Sequence, residues 1–110
     1  MRIGGGDEGV VWRHREDAPA KELYPGVQKQ VLWEGEAGRK ALLIHIASGR
    51  RFLELDVHEP GPEAVFVLSG TFEDGVRAYP AGTFIHNPRG SSHVPQSTTG
   101  CTLLVYFPEG

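Results

Sequence analysis

The stretch DVHEPGPEAVFVLSG, residues 56–70, decides how this chain is read. Asp56 and His58 flank Val57, so as part of a strand they share one face, because strand side chains alternate with a period of two. Pro60 and Pro62 then interrupt the pattern, and each removes a backbone donor and holds φ at about −65°. Glu63 heads an apolar run that closes at Gly70. A solvent-exposed hairpin accounts for this arrangement. A metal site accounts for it too, if a downstream segment completes the ligand set.

Upstream, RFLELDVH (residues 51–58) alternates. Leu53, Leu55 and Val57 fall on one face, and Phe52, Glu54, Asp56 and His58 on the other. Periodicity alone turns the second face toward water. The stiff EPGP loop favours a different reading, since it returns the chain at a defined place and can set the Glu63 carboxylate beside the His58 imidazole. Downstream, GTFIHNPRGSSHVPQS (residues 82–97) offers His93 in a glycine-punctuated turn. Imidazoles and carboxylates together suit Zn, Fe, Mn or Ni.

Short apolar runs fill the remainder: GVVWRH, VQKQVLWE, KALLIHIA, VRAY, TFIHN and CTLLVYF, mostly separated by Gly, Pro, Asp or Ser. This is the pattern of an all-β sandwich or barrel. With 15 Gly and 8 Pro in 110 residues, there is little room for long helices, and REDAPAKELY is given one short helical turn. EAVFVLS, apolar on both faces, reads as a central strand. Asp74-Gly75 reads as a tight hairpin turn and YPAGT as a further turn.

The length allows one domain, residues 1–110, with residues 1–9 as a flexible lead-in to a modest core. A net charge of −3 argues against phosphate-dominated nucleic-acid binding and against a basic membrane-surface patch. Cys101 is the only cysteine, so no intrachain disulfide and no thiol pair for a metal can form. No run reaches signal-peptide or membrane-helix length, which makes a cytoplasmic location the default expectation.

Taken together, residues 49–107 resemble a cupin. His58, four residues, Glu63, six residues and Gly70 follow the family's first motif. Gly82, TFIHN, Pro88-Arg89-Gly90, SS, His93, VPQ and Ser97 follow its second. Asp56 stands where the first motif has a histidine, Gly49 lies one residue too far upstream, and Ser97 replaces an asparagine. VLSGTFEDG, YPAGTF, NPRGSSHVP and GCTLLVYF are similar to the branch holding the ChrR-type anti-sigma cupin domain and the acetylacetone-cleaving dioxygenases. The resemblance implies a small double-stranded β-helix barrel, often a homodimer, with one divalent metal ion (Fe or Zn first, Mn or Ni next) held by inward-pointing side chains. It also turns the polar face of RFLELDVH into the barrel, so that Leu53, Leu55 and Val57 need cover from another layer or a partner subunit.

The candidate ligands are His58, Glu63, His93 and Asp56. Asp56 is either a ligand or the group that orients His58 from its other ring nitrogen. Glu54 and His86 are secondary candidates. His45 reads as a core or interface histidine with a satisfied hydrogen bond, His14 as part of a solvated strand, and Cys101 as a small buried hydrophobe. Phe66, Phe84, Tyr106 and Trp33 read as core. Two functions follow from the resemblance: a non-haem dioxygenase acting on a small dicarbonyl-like molecule, or a non-catalytic, metal-dependent small-molecule binding or sensing domain. Residues 1–48 hold no cysteine, so the zinc module of an anti-sigma factor is not expected in them. A metal-free sugar epimerase ranks last, because nothing marks the basic residue and tyrosine it needs.

Overall fold

The structure is a computed structural model that describes residues 2–3 and 9–110. Residues 1 and 4–8 of the expected lead-in lie outside the described residues. In chain order the elements are β1 (Arg2–Ile3), β2 (Val11–Trp12), a 3₁₀ turn (Arg15–Asp17), β3 (Lys21–Tyr24), β4 (Val27–Glu34), a second 3₁₀ turn (Glu36–Gly38), β5 (Lys40–Ile46), β6 (Arg50–Arg51), β7 (Asp56–Val57), β8 (Glu63–Glu73), β9 (Ala78–Pro80), β10 (Phe84–Asn87), β11 (Ser92–His93), β12 (Gln96–Ser97) and β13 (Cys101–Phe107). Every strand pairing is antiparallel. The expected all-β barrel is what forms, and the helical turn expected in REDAPAKELY is the 3₁₀ turn at Arg15–Asp17.

The strand β8 organises the barrel. Its first half lies between β13 and β10, and its second half between β9 and β12. From β13 the sheet continues through β5 and β4 to β3, and β12 carries β6 on its far side. The registers stack the core in rows. Val65, Val105 and Leu42 stand side by side, as do Val67, Leu103 and Ile44, while Ile46 lies between Cys101 and Val27. All nine are buried, and each large aliphatic side chain so buried stabilises the fold by about 1.5–3 kcal/mol.

The opposite parity faces outward. Phe84, Phe66 and Leu104 form a row there, with Phe84 65% and Phe66 38% exposed. Tyr106 is exposed on the same sheet, and Trp33 is half-buried with its ring over Gly35. The expectation that these four aromatics form the core is therefore corrected. Alternation assigns the inner positions to their aliphatic neighbours Val65 and Val105. On β5, Leu43 is buried although it faces away from the core rows. Gln30, directly opposite it, donates to the carbonyls of Arg15 and Ala18, which draws that segment across the sheet.

RFLELDVH is not one strand. β6 pairs with β12 and β7 with β11, so the residues between them cross from one partner to the other. Phe52 packs against the core and His58 is buried, but Glu54 is exposed. Leu53, Leu55 and Val57 are exposed as well, and no described residue supplies the expected cover. The Asp74-Gly75 turn is a four-residue loop, closed by the Asp74 carboxylate accepting from the amides of Val76 and Arg77. His14 is exposed but accepts from the Glu16 amide at the head of the first 3₁₀ turn instead of lying in a strand.

Gly70 does not end its strand. It sits within β8 at a φ of +72°, where a Cβ would run into the Gly100 carbonyl. This close approach lets β8 leave β13 and join the second set of partners. Gly49 has nearly the same φ, +74°, but open space around it. Gly49→Ala is expected to cost about 1 kcal/mol, the left-handed backbone penalty alone. Gly70→Ala is expected to cost about 3 kcal/mol or more, because steric overlap adds to that penalty. Urea denaturation of the two variants measures the difference, and equal losses would show that the close approach to Gly100 does not matter.

Candidate metal centre

Three local devices assemble the site. The β7–β11 pair sets His93 directly opposite Asp56, and His93 Nε2 lies 3.1 Å from Asp56 Oδ2. The β8–β10 pair sets Asn87 opposite Glu63, where Asn87 Nδ2 donates to Glu63 Oε1 at 3.2 Å. The EPGP loop brings Glu63 back under His58, with His58 Nε2 3.3 Å from Glu63 Oε1 and 3.6 Å from Asp56 Oδ2. One donor atom from each of Asp56, His58, Glu63 and His93 lies within 4.8 Å of every other. The two imidazole rings meet edge to face, with centroids 4.6 Å apart, and Phe72 packs against His93 on a further side.

Behind His58, the turn Pro88–Ser91 closes through Ser91 N–H to Pro88 O, with Gly90 at a φ of +81°. Glycine at the third position supplies that angle without strain. The turn is clamped to His58 by two backbone bonds, His58 N–H to Ser91 O at 2.9 Å and Gly90 N–H to His58 O at 2.8 Å. The Ser91 hydroxyl donates to Pro88 O at 2.6 Å and lies 2.8 Å from His58 Nδ1.

His58 and Glu63 are buried, whereas Asp56 and His93 are half-buried. Burial first, and then the nearby His93, lower the pKa of His58 from its ordinary value. Burial first, and then the Asp56 carboxylate, push the Glu63 carboxyl up to about 7. Both shifts disfavour charge, as expected where ionisable groups are crowded together without a counter-ion.

The buried His58 Nε2 has no hydrogen-bond partner. It lies 3.3 Å from Glu63 Oε1 and 3.6 Å from Asp56 Oδ2. A buried ring nitrogen left without a partner is costly, and a cation would satisfy it together with the two carboxyl groups. Two imidazoles and two carboxylates make a donor set that suits a divalent transition metal or zinc. The residues present therefore fit a metal ion.

A cavity of about 160 Å³ adjoins this group. Its wall includes Leu42, Ile44, Val65, Phe72, Leu103 and Val105, and its ionisable lining groups are Asp56, Glu63 and His93, which lie together. The secondary candidates do not join. Glu54 is exposed, and His86, opposite Ala64 on the outer face of β10, is exposed too. His45 is satisfied by Gln30 and Thr102, and Cys101 is buried, both as expected. Sequence reasoning missed Asn87 and Ser91. The alternation of β10 held a signal for Asn87, since outward Phe84 and His86 require Asn87 to face inward. No pattern marked Ser91.

Comparison with known proteins agrees with this fold. The ChrR cupin-like domain family matches residues 8–108. An RmlC-like cupin from Shewanella frigidimarina has a TM-score of 0.77 at 21% identity, with 90% of each chain covered. The anti-sigma factor ChrR, in its complex with Rhodobacter sphaeroides SigE, has a TM-score of 0.72 at 27% identity over 86% of this chain. The match spans only 50% of that longer chain. An acetylacetone dioxygenase from Acinetobacter johnsonii has a TM-score of 0.75 at 15% identity, covering 97% of this chain and 78% of its own. No curated protein matches the chain.

The Glu63 shift has a stability consequence. In the unfolded chain its carboxyl ionises near 4.5, while in the folded metal-free protein it keeps its proton to about 7. Between those values the folded state holds more protons, so this group's contribution falls as pH rises through the window. Glu63→Gln is expected to flatten that fall. Thermal or urea unfolding of both metal-free proteins from pH 5 to 8 reads it, and parallel profiles would show that Glu63 ionises normally.

Proposed function

The chain belongs to the ChrR cupin-like domain family, and on that premise we propose that it binds a single divalent metal ion through His58, Glu63, His93 and Asp56. The observation that carries the reading is the buried His58 Nε2, which has no partner and faces the two carboxylates. When bound, the ion supplies a Lewis acid with coordination positions left open and, if it is iron, redox chemistry with dioxygen. The residues then divide the work. Glu63 and His58 hold the centre from the buried side, Asp56 is its most exposed member, and the aliphatic wall excludes water.

The adjoining space suits a small, mostly apolar molecule. A cavity of about 150 Å³ lined by similar side chains holds benzene, and this one is about 160 Å³. Among the described residues no Lys or Arg lines it, which disfavours multiply anionic ligands. We propose a dicarbonyl-like compound as substrate, a class suggested by the acetylacetone dioxygenase that shares the fold. The second reading, metal-dependent binding or sensing without turnover, is favoured by two observations. The cavity offers no titratable side chain beyond the candidate ligands, and ChrR, a partner of a sigma factor, is among the similar structures. The lone buried thiol fits a cytoplasmic setting.

Elemental analysis comes first, with about one divalent ion per chain expected. His93→Ala is expected to lose metal more completely than Asp56→Ala, since Asp56 is the more exposed ligand. Equal metal content in both variants would count against this assignment. Oxygen uptake by the Fe(II)-loaded protein with a panel of β-dicarbonyls then separates the two functions. Uptake supports the dioxygenase, and its absence across the panel, with calorimetric binding retained, supports the sensing domain. A homodimer is proposed with either function, and light scattering showing a monomer at micromolar concentration would remove it.

A further inference from the structure

We propose that Ser91 is a positioning residue that selects the tautomer of His58 and thereby sets the affinity of the metal centre. The inference rests on the metal reading above but is carried by a separate set of contacts. A hydroxyl has one proton to give. In Ser91 that proton is directed at Pro88 O, 2.6 Å away, and the same oxygen lies 2.8 Å from His58 Nδ1. Only one arrangement satisfies both contacts. His58 Nδ1–H donates to Ser91 Oγ, and Ser91 Oγ–H donates to Pro88 O.

A neutral imidazole carries one proton, so Nε2 is then bare. Its lone pair points at Glu63 and Asp56, where it has no partner. The other tautomer would set the Nδ1 lone pair against the hydroxyl oxygen, or force Ser91 to turn away from Pro88. The two backbone bonds between His58 and the Ser91 turn prevent the loops from separating to relieve that conflict. Ser91 therefore holds the ring in the protonation form that binds a cation before any cation arrives. Groups that hold the far side of a ligating imidazole typically change metal affinity by roughly 10- to 100-fold when removed.

Two measurements on the full chain test this. Long-range ¹⁵N–¹H correlation spectra of the metal-free protein report which nitrogen of His58 carries the proton. Wild type is expected in the Nδ1–H form, and Ser91→Ala as a mixture with the Nε2–H form. Competition for Zn(II) against a chromogenic chelator is expected to show a loss of roughly 10-fold or more in Ser91→Ala, with most of it recovered in Ser91→Thr, which keeps the hydroxyl. An unchanged tautomer in Ser91→Ala overturns the proposal. So does a tautomer shift without loss of affinity, or a loss that threonine does not repair, which would mark Ser91 as a support of the turn alone. If wild type takes up no Zn(II), the metal reading fails by itself, and the tautomer spectra still decide what Ser91 does to His58.

Discussion

A buried imidazole nitrogen without a partner, set against two carboxyl groups, is the constraint around which this protein is built. His58 Nε2, Glu63 Oε1 and Asp56 Oδ2 lie 3.3–3.6 Å apart across the imidazole nitrogen, and solvent does not reach His58 Nε2 to relieve them. A chain free to choose would separate such groups, since a buried ring nitrogen without a partner is costly in a low dielectric. The fold keeps them together by force of packing. Rows of buried valine, leucine and isoleucine across β8, β13 and β5 stabilise the sheet; Glu63 heads β8, while Asp56 and His93 face each other on the separate β7–β11 pair.

One strand makes that possible. β8 starts with Glu63 in the site, runs through Val65 and Val67 in the core, bends at Gly70, and reaches Phe72, which packs against His93. The same strand thus supplies a candidate ligand, part of the cavity wall and a ring that holds a second candidate ligand in place. Its bend depends on a residue without a Cβ. Geometry in the site is therefore shared: the main sheet places Glu63, the short β7–β11 pair places Asp56 and His93, and the Pro88–Ser91 turn holds His58.

The electrostatics follow from the same crowding. Burial pushes the Glu63 carboxyl up to about 7 and lowers the pKa of His58 from its ordinary value, so both groups disfavour charge. Binding a cation would reverse the preference of Glu63 and reinforce that of His58, which couples metal occupancy to release of the Glu63 proton and to stability. The aliphatic cavity beside it lowers the local dielectric further and strengthens whatever electrostatic contact a ligand makes there.

Much of this was legible in one dimension. Alternating runs and turn residues determined an all-β chain, because strand period and turn chemistry are local properties. Loop stiffness suggested only that Glu63 could meet His58; the resemblance to the cupin motifs is what named Asp56, His58, Glu63 and His93 together, and the fold gathers those four. Which face of each strand points inward was decided only in three dimensions. Phe66, Phe84 and Tyr106 look like core by hydrophobicity and are on the outside, because the closed sheet has one interior and their aliphatic neighbours occupy it. RFLELDVH reads as one strand and is two, because its ends pair with different partners. Asn87, Ser91 and the bare nitrogen of His58 appear only when β8 meets β10 and the two loops clamp together, for hydrogen-bond partners are set by distance in space and not by order along the chain.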